Sequence, residues 1–158
     1  MVAYKKGKYN YSTYPYKGKT YRSKYELNIA KDLYEKKVRF KYEWIELPYQ
    51  VAVTGMECNE CSSKKVTRKS IYIPDFLIIR TGVIVEAKGK FTPKDRKKML
   101  AVIERHPDLD IRMLFYSNNW ITTSHKNRYS DWCESNNIKY AVSRTIPEDW
   151  LVKPTKGN

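Results

Sequence analysis
The chain contains no run of about 18 apolar residues, so no segment is long enough to cross a bilayer as a helix. Its first residues, MVAYKKGKYNYS, hold no apolar signal core, which points away from secretion. Cysteine is scarce. Cys58, Cys61 and Cys133 form an odd, dispersed set that does not read as a disulfide framework, so the expected compartment is reducing and cytoplasm-like. Histidine is limited to His106 and His125, and no internal repeat is present. Acid is short as well: 17 Asp plus Glu stand against 31 Lys plus Arg, for a net charge of +14. That surplus points to a polyanionic partner, because basic surface attracts phosphate and displaces its counterions. A purely structural nucleic-acid binder would carry the same charge, so charge names a partner and no chemistry.

What is present suffices for one domain. The 158 residues are 41% hydrophobic and 14% aromatic, enough for a modest core and too apolar for a wholly disordered chain. Residues 1–21 hold six Tyr, five Lys and no acid, interrupted by Pro and Gly. They read as a flexible basic arm, with Tyr able to stack on bases and Lys able to meet phosphates. Residues 22–158 read as a single domain. Within it, Ser23 to Val38 shows helical spacing at Leu27, Ala30, Leu33 and Tyr34, opened by a Ser23–Glu26 capping-box pattern. Residues 39–53 alternate as a strand, and 54–70 read as a loop or hairpin tip. A second helix starts sharply, with Thr92 as N-cap, Pro93 in its first position and Asp95 in its third. Strands at 111–117 and 138–142, with a short helix between them at 129–137, complete an α/β pattern with a partly parallel sheet.

The chemistry concentrates in PDFLIIRTGVIVEAK, Pro74 to Lys88, two apolar strands carrying charges where a plain core strand would have valine or isoleucine. With Thr81-Gly82 as a two-residue turn, Leu77 faces Glu86 and Asp75 faces Lys88. Alternation along each strand then gathers Asp75, Glu86 and Lys88 on one surface. On its helix, Glu26 falls in the middle of the stripe of Ile29, Ala30 and Leu33, which aims a further carboxylate at the sheet. Clustered carboxylates in a half-buried site require a counter-charge. Hard oxygen ligands from Glu26, Asp75, Glu86 and the Ala87 carbonyl suit Mg²⁺ or Mn²⁺. Two such ions about 3.5–4 Å apart would stabilise the attacking and leaving oxygens of a phosphodiester cleavage. Lys88 would orient or deprotonate the water, or neutralise charge developing on the phosphate. Taken singly, each charge is more simply a turn, capping or surface residue; together they are hard to place on a strongly apolar hairpin in any other way. Arg22, Lys90, Lys94, Arg96, Lys97 and Lys98 lie near this constellation in sequence and are candidate phosphate contacts.

The same stretch resembles the PD-ExK nuclease signature: Pro-Asp, a hairpin, then Glu-x-Lys. With YRSKYELNIAKDL, VEAKG, DRKKML, HPDLDIRMLF and IPEDWLVKP in colinear order, the chain resembles the phage endonuclease I family of Holliday-junction resolvases from about Tyr21 to Pro154. The resemblance carries that family's catalytic set onto Glu26, Asp75, Glu86 and Lys88. It implies a PD-ExK, restriction-endonuclease-like core with a mixed central sheet flanked by helices. It implies Mg²⁺- or Mn²⁺-dependent hydrolysis of four-way and branched DNA junctions. It further implies a homodimer whose subunits exchange their first helix and strand, working in a phage-infected cytoplasm. Two departures stand out: a slightly longer hairpin, and an apparent insertion at about 50–73 in the bridge between lobes. A longer bridge either keeps the exchange or lets the helix fold back on its own chain. Cys58-x-x-Cys61 in that bridge has the spacing of half a zinc site, which two copies in a dimer could complete; two plain thiols or a redox pair fit the same spacing. Another PD-ExK nuclease, nicking mismatches or cutting transposon ends, and a non-catalytic basic DNA-binding protein are the alternative readings.

Overall fold
The computed structural model describes residues 13–53 and 66–153, so Cys58, Cys61 and the first twelve residues of the expected arm lie outside the described chain. The elements run β1 (Tyr14–Tyr16), β2 (Lys19–Tyr21), α1 (Lys24–Glu35), β3 (Phe40–Tyr42), β4 (Leu47–Val53), β5 (Val66–Tyr72), β6 (Phe76–Ile78), β7 (Ile84–Lys88), α2 (Pro93–Arg105), β8 (Ile111–Phe115), α3 (Tyr129–Ser135), β9 (Tyr140–Val142) and α4 (Glu148–Leu151). No helix among the described residues is long and apolar enough to cross a membrane.

The central sheet has the order β3-β6-β7-β8-β9. The β3–β6 and β6–β7 pairs are antiparallel, and the β7–β8 and β8–β9 pairs are parallel, which makes the expected mixed sheet. Parallel neighbours require crossovers, and α2 and α3 supply them. β7 is the hinge of this arrangement and is covered on both faces. Val85 and Ala87 join Phe76, Ile78 and Leu114 under Ile29, Ala30 and Leu33 of α1 and Trp150 of α4. Ile84, with Met113 and Phe115, faces the opposite core of Met99 and Val102 from α2, Cys133 from α3, and Leu47 and Tyr72 from β4 and β5. Cys133 is therefore core, as its apolar helix face suggested, and burial pushes its thiol up to about 12.

The helices begin where their caps dictate. The Ser23 side chain accepts from the Glu26 N–H at 3.1 Å, and a full capping box joins Thr92 to Asp95 behind Pro93. β4 and β5 form a separate two-stranded ribbon, paired from Leu47↔Tyr72 to Val53↔Val66. His106, at the end of α2, secures this ribbon: its Nε2 lies 2.8 Å from the Pro48 carbonyl. The His ring thus ties a helix to a strand instead of capping its own helix.

Four expectations are corrected. Residues 14–21 are an antiparallel hairpin, not part of an arm; Lys17 and Gly18 turn it with φ of 47° and 75°. Tyr21 at its end is fully buried in the α1-side core. Residues 39–53 are two strands, broken where Glu43 adopts φ 45°. Residues 66–70, expected in a loop or hairpin tip, belong to β5, whose antiparallel pairing with β4 agrees with the hairpin and not with the loop. The β6–β7 loop spans Ile79–Gly82: the Ile78 N–H donates to the Val83 carbonyl at 2.9 Å, and Gly82 takes φ 76°. The register is accordingly two residues from the expected one, with Leu77 opposite Ile84. A shift of two leaves every side chain on its expected face; a shift of one would have inverted them.

Tyr21→Ala should lower the global unfolding free energy by about 3–5 kcal/mol in urea denaturation, the range for emptying a large aromatic site in a core. An unchanged midpoint would return residues 14–21 to the status of an arm.

Candidate active site
The β6–β7 register would pair Pro74 with Ala87; Pro74 has no N–H for the Ala87 carbonyl, and the Ala87 N–H is met by a side chain in place of the Pro74 carbonyl. The Asp75 carboxylate takes over: Oδ2 accepts the Ala87 N–H at 2.8 Å in a buried setting. Extending the register places Asp75 opposite Glu86. The Ala87 N–H and C=O leave the strand on the same edge, because the next carbonyl, that of Lys88, turns the other way to accept from Tyr116 at 3.0 Å. One backbone oxygen thus points to the edge that Asp75 occupies.

Glu86 points into the α2-side core and is almost wholly buried. Its two oxygens have different partners. Oε1 meets the ammonium groups of Lys88 at 2.9 Å and Lys98 at 3.4 Å. Oε2 accepts from the Tyr72 hydroxyl at 2.6 Å. Lys88 also lies 3.7 Å from Asp95, the α2 capping acid. Burial pushes Asp95 up, yet its Thr92 hydrogen bonds, with Lys88 and Lys98, bring it below the ordinary carboxylate range.

The electrostatics are one-sided at Asp75. Burial, then the Glu86 and Glu26 charges, raise it well above its usual value, and Lys88 and the Ala87 N–H do not compensate. Lys88 shows the reverse balance: burial pulls it down, but Glu86, Asp75 and Asp95 outweigh that and hold it at about 12. Lys88 is therefore a cation near neutral pH, which favours charge neutralisation over proton abstraction among its expected roles.

The structure brings Asp75, Glu86 and Lys88 together and leaves Glu26 beside them. α1 covers the opposite face of β7 from Glu86, so Glu26 acts on Asp75 from across the strand. Its own oxygens are engaged: Oε1 accepts from the Ser23 hydroxyl at 2.7 Å, and Oε2 from the Arg22 N–H at 3.2 Å and the Tyr42 hydroxyl. Among the described residues, no group of three or more His, Cys, Asp and Glu side chains is assembled that could hold a metal ion. The donor set that does converge is two carboxylates and one carbonyl, Asp75, Glu86 and Ala87. All are hard oxygens, and the raised Asp75 marks uncompensated negative charge. That chemistry fits Mg²⁺ or Mn²⁺.

Of the expected phosphate contacts, Lys94, Lys97 and Lys98 line one groove of about 550 Å³ between α2 and the β4–β5 ribbon, with Arg68, Tyr49 and Asp95. Lys98 and Asp95 connect this groove to Glu86 and Lys88. Lys90 is exposed beyond β7. Arg96 turns inward to the Phe91 carbonyl at 2.8 Å, and Arg22 pairs with Glu43. Tyr72, Arg68 and the second role of Asp95 escaped sequence reading. Asp95 looked only like a cap, while Tyr72 and Arg68 reach the site from a ribbon outside the central sheet, which no local periodicity reveals.

Comparison with known proteins adds an independent line. A sequence profile described as Phage endonuclease I matches residues 7–157. The chain is 34% identical over 137 residues to Endonuclease I of Escherichia phage T7, covering 86% of this chain and 81% of that protein. It is 32% identical over 140 residues to Endodeoxyribonuclease 1 of Enterobacteria phage T3, covering 88% and 82% respectively.

The raised Asp75 has a consequence for stability. Its folded form retains a proton that the unfolded chain releases at about pH 4. The associated stability is complete below that pH and is lost as pH rises through the raised value. Asp75→Asn keeps an acceptor for the Ala87 N–H and removes the charge. In metal-free buffer it should melt above the wild type at pH 8, with the gap closing toward pH 4. Identical melting curves across that range would show that the buried charge is not penalised.

Proposed function
This chain belongs to the phage endonuclease I family, and we propose that it is a structure-selective, metal-dependent endodeoxyribonuclease that binds four-way DNA junctions and resolves them by paired phosphodiester hydrolysis. The observation that carries this reading is the buried Asp75–Glu86–Lys88 cluster, joined through Asp95 and Lys98 to a groove lined by Arg68, Lys94 and Lys97. Relatives named as an endonuclease and an endodeoxyribonuclease support the reaction class and DNA as substrate.

Asp75, Glu86 and the Ala87 carbonyl would hold Mg²⁺ or Mn²⁺. When bound, such an ion supplies Lewis acidity to the phosphate and activates water as the nucleophile. The chain's own residues do the rest. Lys88, protonated and anchored on Glu86, presents positive charge where the phosphate gains negative charge. Glu26 deepens the negative potential at Asp75 and so adds to its pull on a cation. The groove cations neutralise the strand that leads to the cluster. The Pro-Asp and Glu-x-Lys elements on adjacent strands support a PD-ExK core. Cutting two strands of a junction calls for two such centres, which a homodimer supplies. In the exchanged dimer that the family likeness implies, the seat formed by Phe76, Ile78 and Val85 receives the partner's first helix. In the single chain its own α1 fills that seat.

A synthetic four-way junction with Mg²⁺ tests this directly. Paired, symmetric nicks are expected, and a chelator should abolish them. Asp75→Ala and Glu86→Ala should each lower cutting by at least about 10²–10³-fold, the scale for losing a group that handles charge at a reacting centre. Junction binding should survive in both variants. Binding should also weaken with salt, log K falling by about 0.9 per phosphate contact for each decade. Tight binding without nicks under any divalent ion would overturn the enzymatic reading.

A further inference from the structure
We propose that Tyr72 is a positioning residue for Glu86, and that through it the β4–β5 ribbon sets the divalent-ion affinity of the site. The inference rests on the metal-dependent reading above. The Tyr72 ring is 2% exposed, and its hydroxyl donates to Glu86 Oε2 at 2.6 Å. The other oxygen, Oε1, is the one that faces Lys88 and Lys98. A glutamate's terminal torsion is broad and has no strong preference of its own, so the plane of a carboxylate is fixed by its partners. Here a neutral donor pins one oxygen while the two ammonium groups meet the other.

The position of Tyr72 is set from outside the central sheet. It closes the ribbon register opposite Leu47, and the neighbouring Pro48 carbonyl is held by His106 of α2. Lys98, also on α2, places its ammonium 5.0 Å from the Tyr72 ring centroid and 3.4 Å from Glu86 Oε1. The ribbon, α2 and β7 thus meet at one carboxylate. Partners that orient a ligating group typically change metal affinity or activity by about 10–100-fold when lost.

Tyr72→Phe removes the hydroxyl and keeps the ring, its packing and its contact with Lys98. Mn²⁺ binding to DNA-free protein, read by electron paramagnetic resonance, should weaken by about 10–100-fold. The Mg²⁺ concentration that half-saturates junction nicking should rise in step, with the rate recovering at high Mg²⁺. Junction binding in EDTA should not change. Equal Mn²⁺ affinity in the two proteins, including no binding by either, would overturn the inference. So would a variant whose only change is a lower melting temperature, since that is the mark of a packing role. A wild type that binds Mn²⁺ yet cuts no junction would sink the proposed function; the Mn²⁺ comparison would still decide the role of Tyr72.

Discussion
The hydrogen bond from the Ala87 N–H to Asp75 Oδ2 is the constraint on which the site depends. It stands where the sheet register would otherwise set the Pro74 carbonyl against the Ala87 N–H. A carboxylate is thereby drawn to the edge of the central sheet and fixed against β7, a strand covered on both faces. The Pro-Asp pair is a device that ends one strand and delivers an acid to its neighbour.

A second consequence is an imbalance of charge. Glu86 has two ammonium groups and a phenol to answer it, whereas Asp75 has one backbone N–H and a distant share of Lys88. Two carboxylates on adjacent strands therefore differ sharply in comfort. In a protein with +14 net charge this acidic spot cannot be attributed to a general excess of acid. It is a local sink inside a basic surface, an arrangement suited to drawing in a phosphate backbone together with the cations that accompany it.

Much of this was legible in the residues. The faces of Asp75, Glu86 and Lys88 followed from a period of two, which is indifferent to whether the loop takes two residues or four. The loop itself was misjudged because Thr81-Gly82 looks like a complete turn, while Gly82 in fact closes a longer one begun at Ile79. α2 was plain from Thr92, Pro93 and Asp95, since capping chemistry is local. The hairpin at 14–21 was not, because its strands are short and Lys17 takes a backbone conformation more typical of glycine. Tyr72 stayed hidden for a different reason: its meaning depends on a ribbon folding over α2, a contact between segments with no shared pattern. Glu26 was legible as a capping-box acid, yet its oxygens accept from the Ser23 and Tyr42 hydroxyls and the Arg22 N–H, and the Ser23 N–H is not among its partners.

The parallel pairing of β7 with β8 has an implication for synthesis. β8 follows only after the whole of α2, so the far edge of β7 stays bare until residues 111–115 have left the ribosome. A chain interrupted before Ile111 possesses every acid of the cluster and has no platform on which to hold them. The sheet that carries the cluster is thus completed late, by the closing strands rather than by the segments that supply its acids.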